Sequence, residues 1–332
     1  MIDGQPLVTV FMAVYNGEKY IKEAIESILG QTFADFELLI VNDGSTDGSM
    51  AVIADIKDSR IRVLHNERNM GIFLTRNKGI AEARGKYFAT LDCDDVALVD
   101  RLEKQVDFMR RYPDCAVCGS MAFMIDGASQ VTGRFEPPAG MEELPSYLFF
   151  ANCFINSTTL IRADVLKSLR YRNGFEPAED YDLFCRLAES HPVANIGYPL
   201  VRYRVHGGNV TESKAAQKMK GEKTVIAYNL RRIGLDATED QVALHHLFIS
   251  KKFREAGVTL EQVERHLSVL KSANGTKGLY PPRLFDKVLM WQWTIAAGYF
   301  GVKGKNGIIY FRSGLFRVRF LSKRYLGIWR RG

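Results

Sequence analysis

Two polar clusters, each directly following an apolar run, are where this chain could do chemistry. The first joins Ala13-Val14-Tyr15-Asn16 to Val41-Asn42-Asp43-Gly44-Ser45-Thr46-Asp47. A carboxylate at a strand end, such as Asp43, can accept a hydrogen bond from the imide N–H of a uracil ring. An aromatic side chain beside it, such as Tyr15, can stack on that base. Gly44 lets the backbone turn sharply with φ > 0. The plainer alternative is a strand-terminating turn at Asp43-Gly44, with Asp47 as a helix cap. The second cluster is Leu91-Asp92-Cys93-Asp94-Asp95. Its three carboxylates repel one another and call for a compensating cation. Hard oxygen ligands with few His or Cys nearby suit Mg²⁺ or Mn²⁺. Such an ion, bridging two phosphates, would neutralise a departing diphosphate. The alternative here is a solvated loop in which Asp95 or Asp100 caps the following helix.

These clusters need a scaffold that brings strand ends together. Apolar, β-branched runs at Leu7–Val14, Phe36–Val41, Ile61–Leu64 and Tyr87–Leu91 read as buried strands. Between them, Tyr20–Leu29, Ser49–Ile56 and Leu74–Ala83 carry helical spacing. Strand and helix alternate for about 90 residues, which is the pattern of a mostly parallel, doubly wound α/β sheet. Ligands bind such sheets beyond the carboxyl ends of the strands. Asn16, Asn42–Asp47 and Asp92–Asp95 should therefore line one crevice. After a helix at Arg101–Arg110 the pattern loosens. Val117–Ile125 and Gln130–Phe135 can pair as a hairpin, and Ser157–Ile161 and Pro199–Val205 read as strands. Tyr181–Ala188 reads as a helix opened by Glu179-Asp180. Beyond Gly207-Gly208 helices are expected at roughly 213–232, 239–256 and 259–272.

Charge divides the chain at the same place. Residues 1–210 hold 22 Lys+Arg against 29 Asp+Glu, and residues 211–332 hold 23 against 9. An acidic module over 1–210 and a basic, helical, aromatic-rich region over 211–332 follow. The five cysteines, Cys93, Cys115, Cys118, Cys153 and Cys185, form no disulfide framework. Cys115 and Cys118 have zinc-like spacing but no second ligand pair, so they read as buried thiols. Reduced thiols fit a cytoplasmic location. No basic-then-apolar leader opens the chain, and no run of 18 apolar residues occurs, so neither a signal peptide nor a spanning helix is expected. There is no G-x-G-x-x-G after the first strand and no G-x-x-x-x-G-K, which removes support for dinucleotide and triphosphate chemistry.

Taken together, these motifs resemble the nucleotide-binding half of glycosyltransferase family 2, with its GT-A fold. The matching pieces are Val8–Gly17, Gln31-Thr32 with Phe36–Asp47, Asn69-Met70-Gly71 through Arg76-Asn77-Lys78-Gly79, and Leu91–Asp95 with Asp100-Arg101-Leu102. Ala178-Glu179-Asp180-Tyr181-Asp182-Leu183 resembles the family's second acidic motif, and Tyr203-Arg204-Val205-His206 its closing segment. The likeness covers roughly 5–210, with a nucleotide-binding half at about 5–110 and an acceptor half at about 111–210. It implies inverting transfer of a sugar from a nucleoside-diphosphate donor, most readily a UDP-sugar, with Mn²⁺ or Mg²⁺ as cofactor. Asp43 would bind the base, with Ala13 and Tyr15 beside it. Asp92 and Asp94 would form the D-x-D motif. Asp94 would be the main metal ligand and Asp92 would lie near the ribose or sugar. Arg76 and Lys78 would approach the nucleotide, and His206 the diphosphate or the metal. Asp180 occupies the place of the catalytic base. From the residues alone, Glu179-Asp180 could instead stabilise a helix N-terminus, and His206 could be a turn residue.

The resemblance also implies a glycan or lipid-linked acceptor, surface-polysaccharide synthesis, and work at the inner face of a bacterial membrane. Residues 303–332 carry nine Lys/Arg and no acid, interleaved with Tyr310, Phe311, Phe316, Phe320, Tyr325 and Trp329. That composition suits peripheral contact of 281–332 with an anionic membrane surface. A basic tail folded on the acidic module is the alternative. No nucleic-acid-binding motif accompanies it, so no nucleic-acid partner is expected. A catalytically silent sugar-nucleotide-binding scaffold is the competing class of function. A nucleotidyltransferase would require a glycine-rich basic loop that is absent, and a processive synthase would require spanning helices.

Overall fold

The central strands are mostly apolar because the sheet is covered on both faces. A computed structural model describes residues 5–206, 215–302 and 304–317. The sequence features at Gly207-Gly208, at Phe320, Tyr325 and Trp329, and the remainder of 318–332 lie outside the described residues. The chain forms two units, one of Met1–Leu144 with Asn152–Lys218, the other of Pro145–Ala151 with Met219–Gly332.

The first unit is built on a nine-stranded sheet. Its strands are β1 (Val8–Val14), β2 (Phe36–Asn42), β3 (Ile61–His65), β4 (Tyr87–Thr90), β5 (Val96–Ala97), β6 (Val117–Ile125), β7 (Val131–Phe135), β8 (Leu160–Arg162) and β9 (Val193–Arg204). They lie in the order β3-β2-β1-β4-β8-β6-β9-β5, with β7 on β6. Strands β3, β2, β1 and β4 are mutually parallel. Strand order reverses between β1 and β4, and a reversal of that kind opens a crevice at the carboxyl edge. The short β8 joins antiparallel to both β4 and β6, and β6 and β9 run parallel. Every residue of β2 is buried. Helix α1 (Ile21–Leu29) lays Ile21, Ala24, Ile25 and Ile28 into the core, at the i, i+3, i+4, i+7 spacing of one helical face. Full burial of each isoleucine there is worth about 1.5–3 kcal/mol. The other helices of this unit are α2 (Ser49–Asp55), α3 (Ile72–Glu82), α4 (Arg101–Arg111), α6 (Ala163–Leu169) and α7 (Glu179–Ser190), with α5 (Leu144–Leu148) beginning at its border.

Several sequence motifs serve this scaffold. The Gln31 side chain donates to Ser27 O and Leu98 O and accepts from Leu102 N, joining α1 to the start of α4. Arg101 is fully buried and donates to Thr90 O and Thr159 O, tying the end of β4 to the approach to β8. Cys115, Cys118, Cys153 and Cys185 are buried free thiols.

The second unit holds α8 (Ala215–Arg232) from Met219 onward, its residues to Lys218 belonging to the first unit, and α9 (Glu239–Ser250), α10 (Leu260–Lys277), α11 (Pro282–Phe300) and α12 (Gly304–Arg312). Capping boxes at Thr238/Gln241 and Thr259/Gln262 start α9 and α10. Helix α9 stops six residues before the expected end because Lys251 adopts a left-handed conformation and donates its N–H to Leu247 O. Pro145–Ala151 belongs to this unit because Phe149 and Phe150 pack into its aromatic cluster. Phe149 lies edge-on to His245, Tyr280 and Phe285, and Phe150 stacks on His245. His245 also contacts His266 at 3.1 Å and Phe149 O at 3.1 Å. Burial holds both imidazoles below their ordinary range, His266 at about 4. Among the described residues no helix is long and apolar enough to cross a membrane.

Candidate active site

The register Val14↔Asn42 and Phe11↔Thr90 sets the loops after β1, β2 and β4 on one edge of the sheet. The first two loops are sewn together. Asn16 N donates to Ser45 Oγ and Thr46 N donates to Asn16 Oδ1. Glu18 N donates to Asp47 Oδ2, and Gly48 N donates to Glu18 Oε2. Asp47 also accepts from Ser49 N at the start of α2, so it does serve as a helix-end acceptor. Tyr15 stands half exposed at the rim, and Ala13, paired with Val41, lies partly open just before it.

Asp43 is buried and does more than end a strand. Its Oδ1 accepts from Asn66 Nδ2 at 2.7 Å and Met70 N at 2.8 Å, and its Oδ2 accepts from Gly71 N at 3.0 Å. Four acceptor positions and three donors leave one free on Oδ2. Gly44 is required here on two counts. Its φ is +75°, and a β-carbon would lie 2.7 Å from Arg68 C and Asn69 N. Lys78 donates to His65 O at 2.7 Å and Asn66 Oδ1 at 3.0 Å, so it braces the loop that holds Asp43.

The D-x-D loop follows β4. Asp92 N donates to Ser157 Oγ, and Asp95 N turns back to Asp92 O. Asp94 Oδ2 lies 3.0 Å from His206 Nε2. Two ligands at about 2.1 Å from one ion, roughly at right angles, stand about 3.0 Å apart, so this pair has the spacing of adjacent positions around Mg²⁺ or Mn²⁺. Burial and the Asp92 charge raise the Asp94 pKa, against the opposing pull of His206, and a cation would relieve that cost. Among the described residues no group of three His, Cys, Asp or Glu gathers closely enough to hold a metal alone. Diphosphate and water oxygens would have to complete the shell, as is usual for Mg²⁺. Cys93 is a partly buried free thiol. Its Sγ lies 2.9 Å from where a β-carbon on Gly17 would stand, so it packs the D-x-D loop against the loop after β1.

Arg76 on α3 links this loop to the second acidic motif. It is buried, forms an ion pair with Glu179, reaches Asp92 Oδ1 at 3.6 Å, and lies over the Tyr171 ring at 5.4 Å. Burial alone would lower its pKa, but Glu179, Tyr171, Asp92 and Asp180 outweigh it and the guanidinium is held charged. Asp180 sits in the first turn of α7 and accepts from its own Tyr181 N–H at 2.7 Å, so it does meet the helix N-terminus. It also accepts from Asn152 Nδ2 at 3.1 Å. Burial raises its pKa, and Arg76, the Tyr181 N–H and Lys218 only partly offset this. A partly exposed carboxylate with a raised pKa, oriented by an amide, has the properties of a general base.

A family model described as "Glycosyl transferase family 2" matches residues 9–170. An uncharacterized glycosyltransferase of Haemophilus influenzae is 32% identical over 249 residues, covering 70% of this chain and 76% of that protein. The chain belongs to glycosyltransferase family 2. It is a glycosyltransferase. An Escherichia coli relative named UDP-Glc:alpha-D-GlcNAc-diphosphoundecaprenol beta-1,3-glucosyltransferase WfgD is 29% identical over 210 residues, covering 63% of this chain and 81% of its own. Among solved structures, S. aureus TarS 1–349 in complex with UDP-GlcNAc superposes with a TM-score of 0.60 at 19% identity, covering 88% of this chain and 91% of that one. The mannosyltransferase PcManGT of Pyrobaculum calidifontis, in complex with GDP-Man and Mn²⁺, gives 0.55 at 13% identity, covering 98% and 84%. These likenesses establish the GT-A-type fold.

Four further residues of this glycosyltransferase bear on the site. Asn66 holds Asp43, Asn152 holds Asp180, Glu179 pairs with Arg76, and Arg204 anchors the D-x-D loop. Arg204 is fully buried. Its N–H donates to Asp95 Oδ1, its Nε to Asp94 O at 2.7 Å, and its Nη2 to Glu23 Oε2 at 2.7 Å. Its place in the closing segment Tyr203-Arg204-Val205-His206 is the available signal for it. Asn66 and Asn152 carry no comparable signal, because an asparagine in a loop is ordinary turn chemistry.

Proposed function

We propose that this chain is an inverting, metal-dependent enzyme that moves a hexosyl or N-acetylhexosaminyl group from a UDP-sugar to a hydroxyl of a glycan or lipid-linked glycan, in bacterial surface-polysaccharide synthesis. The observation that carries the reading is the linkage of three acidic motifs through short contacts. Asp43 is held by the loop leading into α3, Arg76 on α3 reaches Asp92, and Arg76 also pairs with the residue beside Asp180. The free acceptor position on Asp43 would take the base imide, with Tyr15 over the ring and Ala13 beneath it. Lys78 keeps that loop in place, and Arg76 acts on the donor through Asp92. Asp94 and His206 would hold Mn²⁺ or Mg²⁺, which supplies positive charge opposite the leaving diphosphate. Asp180 accepts the proton of the attacking hydroxyl as that oxygen forms its bond to the anomeric carbon on the face opposite the diphosphate. One displacement of this kind inverts the configuration. UDP is favoured by the names of WfgD and the TarS complex, a divalent ion by the PcManGT complex, and a lipid-linked acceptor by WfgD. A thermal-shift screen of nucleotide sugars with Mn²⁺ tests the donor: UDP-sugars should raise the melting temperature most, and stabilisation by GDP- or dTDP-sugars alone would overturn the UDP assignment.

We also propose peripheral contact with the cytoplasmic face of the membrane. Ile308 and Phe311 are exposed one turn apart on α12, flanked by Arg312 and by Lys305, which pairs with Glu261 at 2.7 Å. Apolar side chains rimmed by cations suit an anionic lipid surface. In flotation with anionic vesicles, Ile308→Glu with Phe311→Glu should reduce the bound fraction of the full chain several-fold. Equal partitioning of variant and wild type would remove this proposal.

A further inference from the structure

Glu179 and Arg76 form a buried ion pair immediately beside the base. Glu179 is 2% exposed and Arg76 8% exposed. A buried pair of this kind is a poor source of stability, because desolvation consumes most of its Coulombic gain. Its position suggests another use. The charged and titratable groups facing Asp180 are Arg76 from α3, Lys218 from α8, Asp92 from the D-x-D loop, Tyr171 from the segment before α7, and its neighbour Glu179. Glu176 acts in turn on Glu179. Of the cations, Arg76 acts most strongly on Asp180. A carboxylate clamped by arginine has its pKa lowered by about 1–3 units and is a correspondingly weak base.

Resting on the reading of Asp180 as the base, we propose that Glu179 is a positioning residue that takes up the Arg76 guanidinium, so that Asp180 is left free to accept the acceptor's proton. The ion pair itself directs Arg76 toward Glu179 and Asp92, while Asp180 is oriented by Asn152 and by its own helix N–H. Burial raises the Asp180 pKa, and the pull of Arg76 offsets this only in part. Arg76 keeps one function toward the donor, through Asp92. The same guanidinium is thus shared between the leaving-group side and the base side, with Glu179 setting the division.

The test is the acid limb of the kcat/KM–pH profile at saturating Mn²⁺. Glu179→Gln releases the Arg76 charge toward Asp180, and the limb should move to lower pH by about half to one unit, with a several-fold lower plateau. Arg76→Gln removes the cation and should move the limb upward by a similar amount. The double variant should return the limb to within about 0.3 units of wild type, because both charges are gone. A purely structural pair would lower activity or melting temperature without moving the limb in opposite directions. If Glu179→Gln does not accumulate as folded protein, the double variant against Arg76→Gln carries the comparison. An unmoved limb in Glu179→Gln, or coincident limbs for Arg76→Gln and the double variant, overturns the proposal. Wild-type turnover in Asp180→Asn would instead bring down the base assignment. An inactive Asp180→Asn with fixed limbs in the pair variants would bring down only the role of Glu179.

Discussion

Asp180→Asn should lower turnover by at least about 10³-fold while leaving UDP-sugar affinity within about twofold of wild type. The amide keeps the shape of the side chain and can still accept, through its one oxygen, either the Asn152 bond or the Tyr181 N–H bond. It cannot take a proton from the acceptor hydroxyl. Loss of fold will not explain the result. The folded-state pKa of Asp180 is raised above its ordinary value, so its charged form is disfavoured by folding. An acid with a raised pKa costs stability once the pH climbs above its unfolded value. Replacing it by a neutral residue should hold or raise the melting temperature at neutral pH. Activity should also fall as pH drops through the raised pKa of Asp180, because protonation removes the base. Single-turnover kinetics with donor titration separates the two quantities, and a variant that turns over normally removes Asp180 from the mechanism.

Asp94→Asn should act on the other half of the reaction. Donor affinity measured by calorimetry with Mn²⁺ should weaken by about 10–100-fold, and affinity measured with chelator should stay the same. An asparagine oxygen is a neutral, weaker ligand for a hard cation, and His206 alone cannot hold one. The sign of the stability effect again separates mechanism from damage. Burial and Asp92 raise the Asp94 pKa, so removing its charge relieves repulsion in the metal-free protein. A melting temperature that does not fall, together with lost metal dependence, is the expected pair of results. Equal affinity with and without Mn²⁺ in the wild type would count against the ligand role.

The parts of this fold that were legible in the sequence are those with strong local periodicity. The run at β2 is apolar from Leu38 to Val41 because both of its faces are covered, and Asp43-Gly44 marks its end with a turn that favours glycine. The D-x-D cluster was legible because three carboxylates at a buried strand end demand a countercharge. Strand β9 was harder. Its first half, Val193–Tyr198, holds Asn195 and Gly197 and lacks strict alternation, so only the run from Pro199 reads as a strand. Helix α11 lay outside the helices read from the sequence, although Trp293 within it is wholly buried. The site itself was half legible. Asp43, Asp94 and Asp180 announce themselves by charge at element ends. Asn66, Asn152 and Arg204 act by hydrogen bonds over sequence separations that no local pattern encodes, up to 181 residues for Arg204 to Glu23.

The roles proposed for these residues meet in a single bound donor. A crystal structure of the full chain with UDP and Mn²⁺ is the shortest route to that point. The account predicts the uracil imide on the Asp43 carboxylate with Tyr15 over the ring, the ion bound by Asp94 and His206 and by both phosphates, and Asp180 facing the open side where the sugar would sit. Nucleotide density that touches neither Asp43 nor Asp94, or a diphosphate bound far from Asp180, would contradict it.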